Sequence, residues 1–228
     1  PSSPVLTSNP LDPPDWDFQN HGYHRWPGAT AAHLMLPTLF YRAEERLAIH
    51  FATSRNGVQW HRPQGRSAWL AAADIPDATA YAGVHSCHGI LPTAAGEWSI
   101  YLRPYLHGHN ENKRHRTPGG FMRAVMREDG FISLHARGWG EFWTVPFVLN
   151  IDRIGLNVKC GYGGRLRAGL ERVLCDYDHI GSCEVEAIQG YGLADCREIR
   201  DDHTNAALQW AGGALSAVGK QTVRLRIQ

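Results

Sequence analysis

Short apolar runs, rich in aromatic or β-branched residues or alternating with a period of two, punctuate the first part of the chain. They are "HLMLPTLFY" (33–41), "RLAIHFATS" (46–54), "GVHSCHGIL" (83–91), "EWSIYLRPY" (97–105) and "GFMRAVM" (120–126). Each is rich in aromatic or β-branched residues and bounded by Gly, Pro, Asn or Asp, which predicts strands. "RSAWLAAAD" (66–74) reads as a loop with a short helix. Near residue 138 the texture changes. "GEFWTVPFVL", "RIGLNVKC", "RLRAGLERV", "TNAALQW" and "QTVRLRI" predict a compact antiparallel sandwich of about seven strands. "RLRAGLERVL" (165–174) also fits an amphipathic helix, but the preceding Gly161-Tyr162-Gly163-Gly164 turn favours a strand in a hairpin array. The expectation is an all-β protein of two parts, residues 1–138 and 139–228, with the boundary at Arg137 to Gly140.

A local string recurs within the first part. "FATSRNGVQW" (51–60) and "RAVMREDGFISL" (123–134) both run from an apolar stretch through Asn-Gly or Asp-Gly into an aromatic or β-branched stretch. Such pairs tolerate positive φ and suit two-residue hairpins. Gly57 and Gly130 are 73 residues apart, a spacing that suits four-stranded blades with long loops.

Composition narrows the function classes. Lys plus Arg number 23 and Asp plus Glu 22, a net charge of +1, which leaves no electrostatic footprint for nucleic acid or an anionic membrane. No apolar run approaches the roughly 20 residues that span a bilayer. The first fifteen or so residues are rich in Pro and Ser, read as extended, and lack the basic and apolar regions of a signal peptide. The chain opens on Pro1 rather than Met, so an upstream segment is compatible with it and no compartment is implied. The five cysteines, Cys87, Cys160, Cys175, Cys183 and Cys196, form no C-x-x-C pair. Zinc-knuckle and dithiol readings therefore fail, and buried free thiols are expected.

Several motifs in order resemble one family. "ATSRNGVQWHRP" (52–63) is similar to a blade hairpin, and "REDGFISLHA" (127–136) with "TVPFVL" (144–149) to the exit from a last blade. "LNVKCGYGGRLRAGLERV" (156–173), "GYGLADCREIRDD" (190–202), "LQWAGG" (208–213) and "GKQTVRLRI" (219–227) come next as a sandwich. The chain from about residue 17 onward thus resembles bacterial proteins built on the five-bladed β-propeller of glycoside hydrolase families 32, 43 and 68, followed by a β-sandwich. A closed ring of five blades needs roughly 300 residues, and only some 120 precede the sandwich. The resemblance therefore implies a partial propeller, completed by an upstream segment or by a second copy.

That resemblance also implies a chemistry. Such enzymes cleave glycosidic bonds with two carboxyls converging on the propeller axis. Asp17, in "DWDFQNHGYHRWPG", is the candidate carboxylate, with Asp15 and Asp77 weaker; a loop aspartate in a turn or cap is the competing reading. Relatives often carry an acid at the start of the next inner strand, where this chain has Tyr81-Ala82-Gly83. A phenol titrating near 10 cannot replace a tuned carboxylic acid, which puts hydrolysis in doubt.

Thirteen histidines invite a metal reading. On a strand, however, His85 and Cys87 share a face while His88 points away, and the remaining cluster, His107, His109 and His115, offers at most an alternating pair. No metal or cofactor is expected, and polar lining of a ligand funnel is the better use. Sugar-ring stacking falls to Trp16 and Trp26, beside His21, His24 and Arg25, with Tyr81 and His85 also facing the ligand. Trp60 and Trp98 are read as core and Trp69 is left open. Two functions stand side by side: a glycoside hydrolase acting on a carbohydrate through Asp17, and a non-catalytic carbohydrate-binding or scaffold module.

Overall fold

A computed structural model describes residues 3–29, 31–63, 65–76, 81–111, 120–174 and 184–228. Asp77, His115, Cys175 and Cys183 lie outside the described residues. With 42% of the residues in strands and 3% in helix, the all-β expectation holds, although none of the several sheets is closed. Among the described residues no helix is long and apolar enough to cross a membrane. The chain divides into two compact units, Pro1–Phe131 and Ile132–Gln228, a few residues before the expected boundary.

Unit 1 is built from two antiparallel meanders. In the first, three extended runs each break once in the middle. The runs are β1 (Trp16–Asn20) with β2 (Tyr23–Arg25), β3 (His33–Met35) with β4 (Thr38–Tyr41), and β5 (Arg46–Ile49) with β6 (Ala52–Ser54). They pair twice, as β1-β4-β5 on one side of the break and β2-β3-β6 on the other. Pro37 lacks an N–H and so cannot donate to the ladder where the middle run bends. The chain bridges the gap with Leu36 N–H to the Gly22 carbonyl (2.9 Å) and His50 N–H to the Pro37 carbonyl (2.8 Å). Gly22 sits at φ +47°, and a Cβ there would collide with the Leu36 carbonyl oxygen and lie 2.6 Å from Ser86 Oγ. A fourth edge is added in two pieces, where Thr53 exchanges both backbone bonds with His61 and Ile49 pairs with Leu70.

The second meander is longer: β7 (Gly83–Ala94), β8 (Glu97–Tyr105) and β9 (Met122–Arg127). Trp98, Ile100 and Leu102 of β8 are buried and Tyr101 is exposed, as its alternation predicts, although Ser99 between the first two is buried as well. These residues join Leu34, Leu36, Ile49, Phe51, Val84 and Phe131 in one core, with Trp26, Trp69 and Tyr81 packed on it. The stretch read as a loop with a short helix contains one 3-10 turn, Ala72–Asp74.

The two recurrent turns are not equivalent, which corrects the expectation of twin hairpins. At the first, Gly57 takes φ +73°, while Asn56 Oδ1 accepts the N–H groups of Val58 and Gln59 (2.9 and 2.8 Å). The chain then returns to pair at His61. At the second, Asp129 takes the positive φ (+56°), Gly130 donates to the Arg127 carbonyl (2.9 Å), and the chain does not return as a strand. Phe131 instead turns into the core, its ring centroid 5.3 Å from those of Trp26 and Phe51 and 5.6 Å from that of Trp69. Its carbonyl accepts Trp69 Nε1–H (2.9 Å), and Asp129 accepts Trp26 Nε1–H (2.6 Å). The second string is an aromatic anchor rather than a hairpin.

Unit 2 contains β10 (Phe142–Trp143), β11 (Phe147–Val148), β12 (Gly155–Lys159), β13 (Ala168–Val173), β14 (Val185–Ala187), β15 (Asp202–Ala207) and β16 (Thr222–Ile227). Residues 168–173 are therefore strand, not helix. One sheet has the order β10-β16-β13-β14 with β11 also on β16, and β12 pairs β15 separately. In β16, Val223, Leu225 and Ile227 are buried and alternate with Thr222, Arg224 and Arg226. The outward arginines meet Glu171 (2.7 Å) and Glu141 (2.6 Å), each guanidinium 5.6 Å from the Trp143 ring centroid. Trp210 Nε1–H donates to the Ala168 carbonyl (2.7 Å), and the Tyr191 hydroxyl lies 2.9 Å from the carbonyls of Gly212 and Ala214. A Cβ on Gly212 would meet the Tyr191 ring at 2.5 Å, which accounts for the paired glycines of "LQWAGG".

Truncating the anchor tests this packing. Phe131→Ala is expected to cost about 3–5 kcal/mol in urea denaturation of unit 1, the usual loss for a buried aromatic ring. Ile132→Ala, one residue on and exposed, should stay within about 0.5 kcal/mol.

Candidate functional site

The two meanders of unit 1 join in one six-stranded sheet, order β1-β4-β5-β7-β8-β9, with β5 and β7 paired in parallel, and polar groups also tie the Asn20 end of β1 to β7. Asn20, at the end of β1, donates through Nδ2 to the Ser86 carbonyl (3.2 Å) and to His85 Nδ1 (3.3 Å). Its Oδ1 accepts Thr38 N–H (3.3 Å). Ser86 Oγ–H donates to the Leu36 carbonyl (2.6 Å), and Ser86 N–H reaches Thr38 Oγ1 (3.3 Å). One amide and one hydroxyl thus satisfy the backbone where both strands are interrupted.

Beyond this tie the seam is lined with imidazoles. His24 is 4% exposed, and its Nδ1 accepts Gly89 N–H (2.8 Å). That bond fixes the neutral ring with its proton on Nε2, and the buried Nε2–H meets no hydrogen-bond partner among the described residues. His21 is exposed, and its Nδ1 accepts Tyr23 N–H (3.0 Å). The His88 ring lies 4.9 Å from that of His21 and 6.4 Å from that of His24. At the other side of Asn20, His85 packs 5.1 Å from Tyr105 and 6.3 Å from His109.

Burial, with the charges His88 and His21 would carry, pushes His24 down to about 4. Burial, then His109 and Arg103, likewise bring His85 to about 4. Around neutral pH these rings are therefore uncharged, each offering one N–H donor. With its Nδ1 already accepting the Gly89 N–H hydrogen bond, His24 Nε2 is a donor and not a ready metal ligand. Among the described residues no group of three or more His, Cys, Asp or Glu side chains is arranged to hold a metal ion.

The residues expected to converge do so only in part. His21 and His24 come together, joined by His88, and His85 sits on the same seam. Asp17 faces Arg42 instead, its Oδ2 3.3 Å from Nε, in a pair with both side chains about half exposed. Such pairs contribute roughly 0–1 kcal/mol and hold no carboxyl in reserve. Trp16 packs edge-on against Tyr41 (5.0 Å) and His50 (4.9 Å). Trp26 is committed to the Phe131 anchor and Tyr81 packs against the same core, so neither stands free as a sugar platform. Asn20 and Ser86 were missed by the sequence reading. Their signal was a polar amide inside a strand, where Asn is disfavoured unless its side chain has a specific partner.

Unit 2 holds a separate cleft of about 860 Å³, lined among others by Trp139, Phe142, Lys159, Gly163, Arg165 and Arg167. Cys160, also on its wall, is a free thiol that burial, with Asp201 nearby, pushes above the ordinary range. Cys87 and Cys196 are free as well.

No protein-family model matches the chain, and neither a curated protein nor a solved structure matches it.

The histidines predict a pH dependence. His24 and His85 are joined by His50, which is 2% exposed, bonded to the Tyr41 hydroxyl (2.8 Å), and pushed to about 4 by burial and then by Arg62. Unfolded, each would titrate near 6.5, so below that pH the unfolded chain takes up protons that the fold refuses. Stability should be full above about pH 6.5 and fall as pH drops toward 4, by up to roughly 3 kcal/mol per histidine. The urea midpoint, constant from pH 7 to 8, should decline steadily below 6.5; a midpoint unchanged down to pH 4.5 would show that these rings are not held neutral.

Proposed function

We infer that the chain is the carbohydrate-recognising part of a protein of the glycoside-hydrolase propeller type, binding a glycan along the seam between the first strands of its two meanders. In this reading the meanders are successive blades, those first strands face the propeller axis, and unit 2 is the accompanying sandwich. The order of the sequence motifs supports it, as do the four-edged first meander and the polar tie between Asn20 and β7.

The observation that carries the inference is the row of imidazoles, His21, His24 and His88, with the buried Nε2–H of His24 among them, which meets no acceptor among the described residues. A buried donor without an acceptor costs about 1–3 kcal/mol, and a sugar hydroxyl entering the seam would relieve that cost. The His24 ring offers one N–H donor and the exposed rings beside it add polar edges, which suits a ligand made of adjacent hydroxyl groups. Cleavage in the manner of the resembled enzymes would need a second carboxyl about 5–10 Å from Asp17. The charged neighbour described for Asp17 is a guanidinium, which favours binding over hydrolysis.

Calorimetric titration with neutral oligosaccharides tests this. His88→Ala and His21→Ala, both at exposed positions, should each weaken binding about tenfold, near 1.4 kcal/mol, without moving the thermal midpoint. Glycan binding indifferent to both would remove the seam as the site. Turnover of aryl glycosides that is abolished by Asp17→Asn would establish hydrolysis instead.

A further inference from the structure

The cleft of unit 2 has a different character from the seam. It is wide enough for a ligand of several rings, since binding cavities run to roughly 300–1,000 Å³ and this one is about 860 Å³. Trp139, 71% exposed, presents an indole face on its wall. Three glycines nearby, Gly138, Gly161 and Gly163, have open space where a Cβ would stand, so no side chain crowds that side.

Cations gather at the same place. Glu198 is shared by Arg167 (2.7 Å), Arg200 (2.6 Å) and Arg165 (3.6 Å). The hydrogen bonds from Arg200 and Arg167, with their charges, hold Glu198 below the usual carboxylate range, so it stays anionic. Lys159 pairs Asp202 at 3.8 Å, Asp201 lies beside Cys160, and Glu141 is held by Arg226. Three guanidiniums on one carboxylate leave the most loosely held of them, Arg165, able to take another anion. Its side chain is 64% exposed and lines the cleft. A guanidinium fork suits a carboxylate bidentately, and an indole face suits the apolar C–H face of a pyranose ring.

We propose that this cleft binds an acidic saccharide, a chain containing hexuronate, with a sugar ring stacked on Trp139 and its carboxylate on Arg165. The choice of a sugar rests on the glycan-binding reading of unit 1, whereas the demand for an anion with a flat apolar face comes from the cleft itself. The two sites would then read different parts of one polysaccharide, hydroxyls at the seam and a carboxylate at the cleft.

The test uses trigalacturonate, with its methyl-esterified form as the uncharged counterpart, titrated into the whole chain. Trigalacturonate should bind better than the ester, and more weakly as salt is raised. Trp139→Ala and Arg165→Gln, both at exposed positions, should each lower its affinity about tenfold with an unchanged thermal midpoint, while Arg165→Lys restores part of the loss and His88→Ala leaves it intact. Equal affinity for acid and ester, or acid binding indifferent to Trp139 and Arg165, overturns the proposal. If neutral oligosaccharides bind through His21 and His88 while trigalacturonate does not bind, this inference fails and the glycan reading of unit 1 stands. If none of these sugars binds, both fail together.

Discussion

The arrangement of unit 1 depends on the side-chain amide of Asn20. Through it the end of β1 meets β7, two strands distant in sequence, at a point where each is irregular. The first run breaks at Gly22 opposite Pro37, and the β7–β8 ladder shifts register between Ser86 and Ile90. Backbone groups released by such breaks and buried there must find partners. Asn20 and Ser86 satisfy them across the gap, reaching the Ser86 carbonyl, Thr38 N–H and the Leu36 carbonyl. Gly22 is dictated by the same constraint, since any side chain there would enter the space that Ser86 Oγ occupies. The imidazoles of the seam take their places because those two strands are fixed in this register.

A second device fixes the segment that leads into the fold. Asp12 has a carboxylate only 1% exposed, bound by Arg62 and by Asn9 N–H (2.9 Å), with Arg66 at 3.5 Å. Burial alone would raise its pKa, but the Arg62 hydrogen bond, the Asn9 N–H and the two positive charges outweigh it, and the group is held below its ordinary value. Arg62 also lies 5.4 Å from the centroid of Phe18 in β1. A buried ion pair adds little net stability against an apolar substitute, yet losing one partner leaves an unpaired buried charge. The proline-rich entry, expected to be extended, instead runs through bends and turns, and it is held by the Asp12 carboxylate and by Arg42, which donates to the Pro14 (3.0 Å) and Asp15 carbonyls.

The strands were legible because their alternation is local. Residues 97–105 carry a period-two pattern that needs no partner to be recognised, and Tyr23-His24-Arg25 places the middle residue inward by the same rule. The polar groups that meet across the fold were not legible. His24 and Gly89 are 65 residues apart, and Trp26 and Asp129 are 103 apart. Trp26 looked free for a sugar because nothing local announces that Asp129 and Phe131 will claim it. The recurrent Asn-Gly and Asp-Gly pairs misled for a related reason. Both accommodate positive φ, but which of the two residues adopts it depends on the segment downstream, a returning strand in one case and a buried phenylalanine in the other. Asp17 was identifiable as an acid on an early strand, while the arginine that answers it comes from the end of the next run.

The way those two turns are bonded also bears on how the chain ages. Asn-Gly and Asp-Gly sequences are the ones in which the glycine nitrogen most readily attacks the preceding side-chain carbonyl, closing a succinimide that opens to isoaspartate. Here the Gly57 N–H is held by Ser54 Oγ (2.9 Å) and the Gly130 N–H by the Arg127 carbonyl (2.9 Å), so each nucleophile is engaged elsewhere. The side chains under attack are engaged as well, Asn56 by two backbone N–H groups and Asp129 by the Trp26 indole. The folded protein thus slows, at both sites, a covalent damage reaction that its own sequence would otherwise invite.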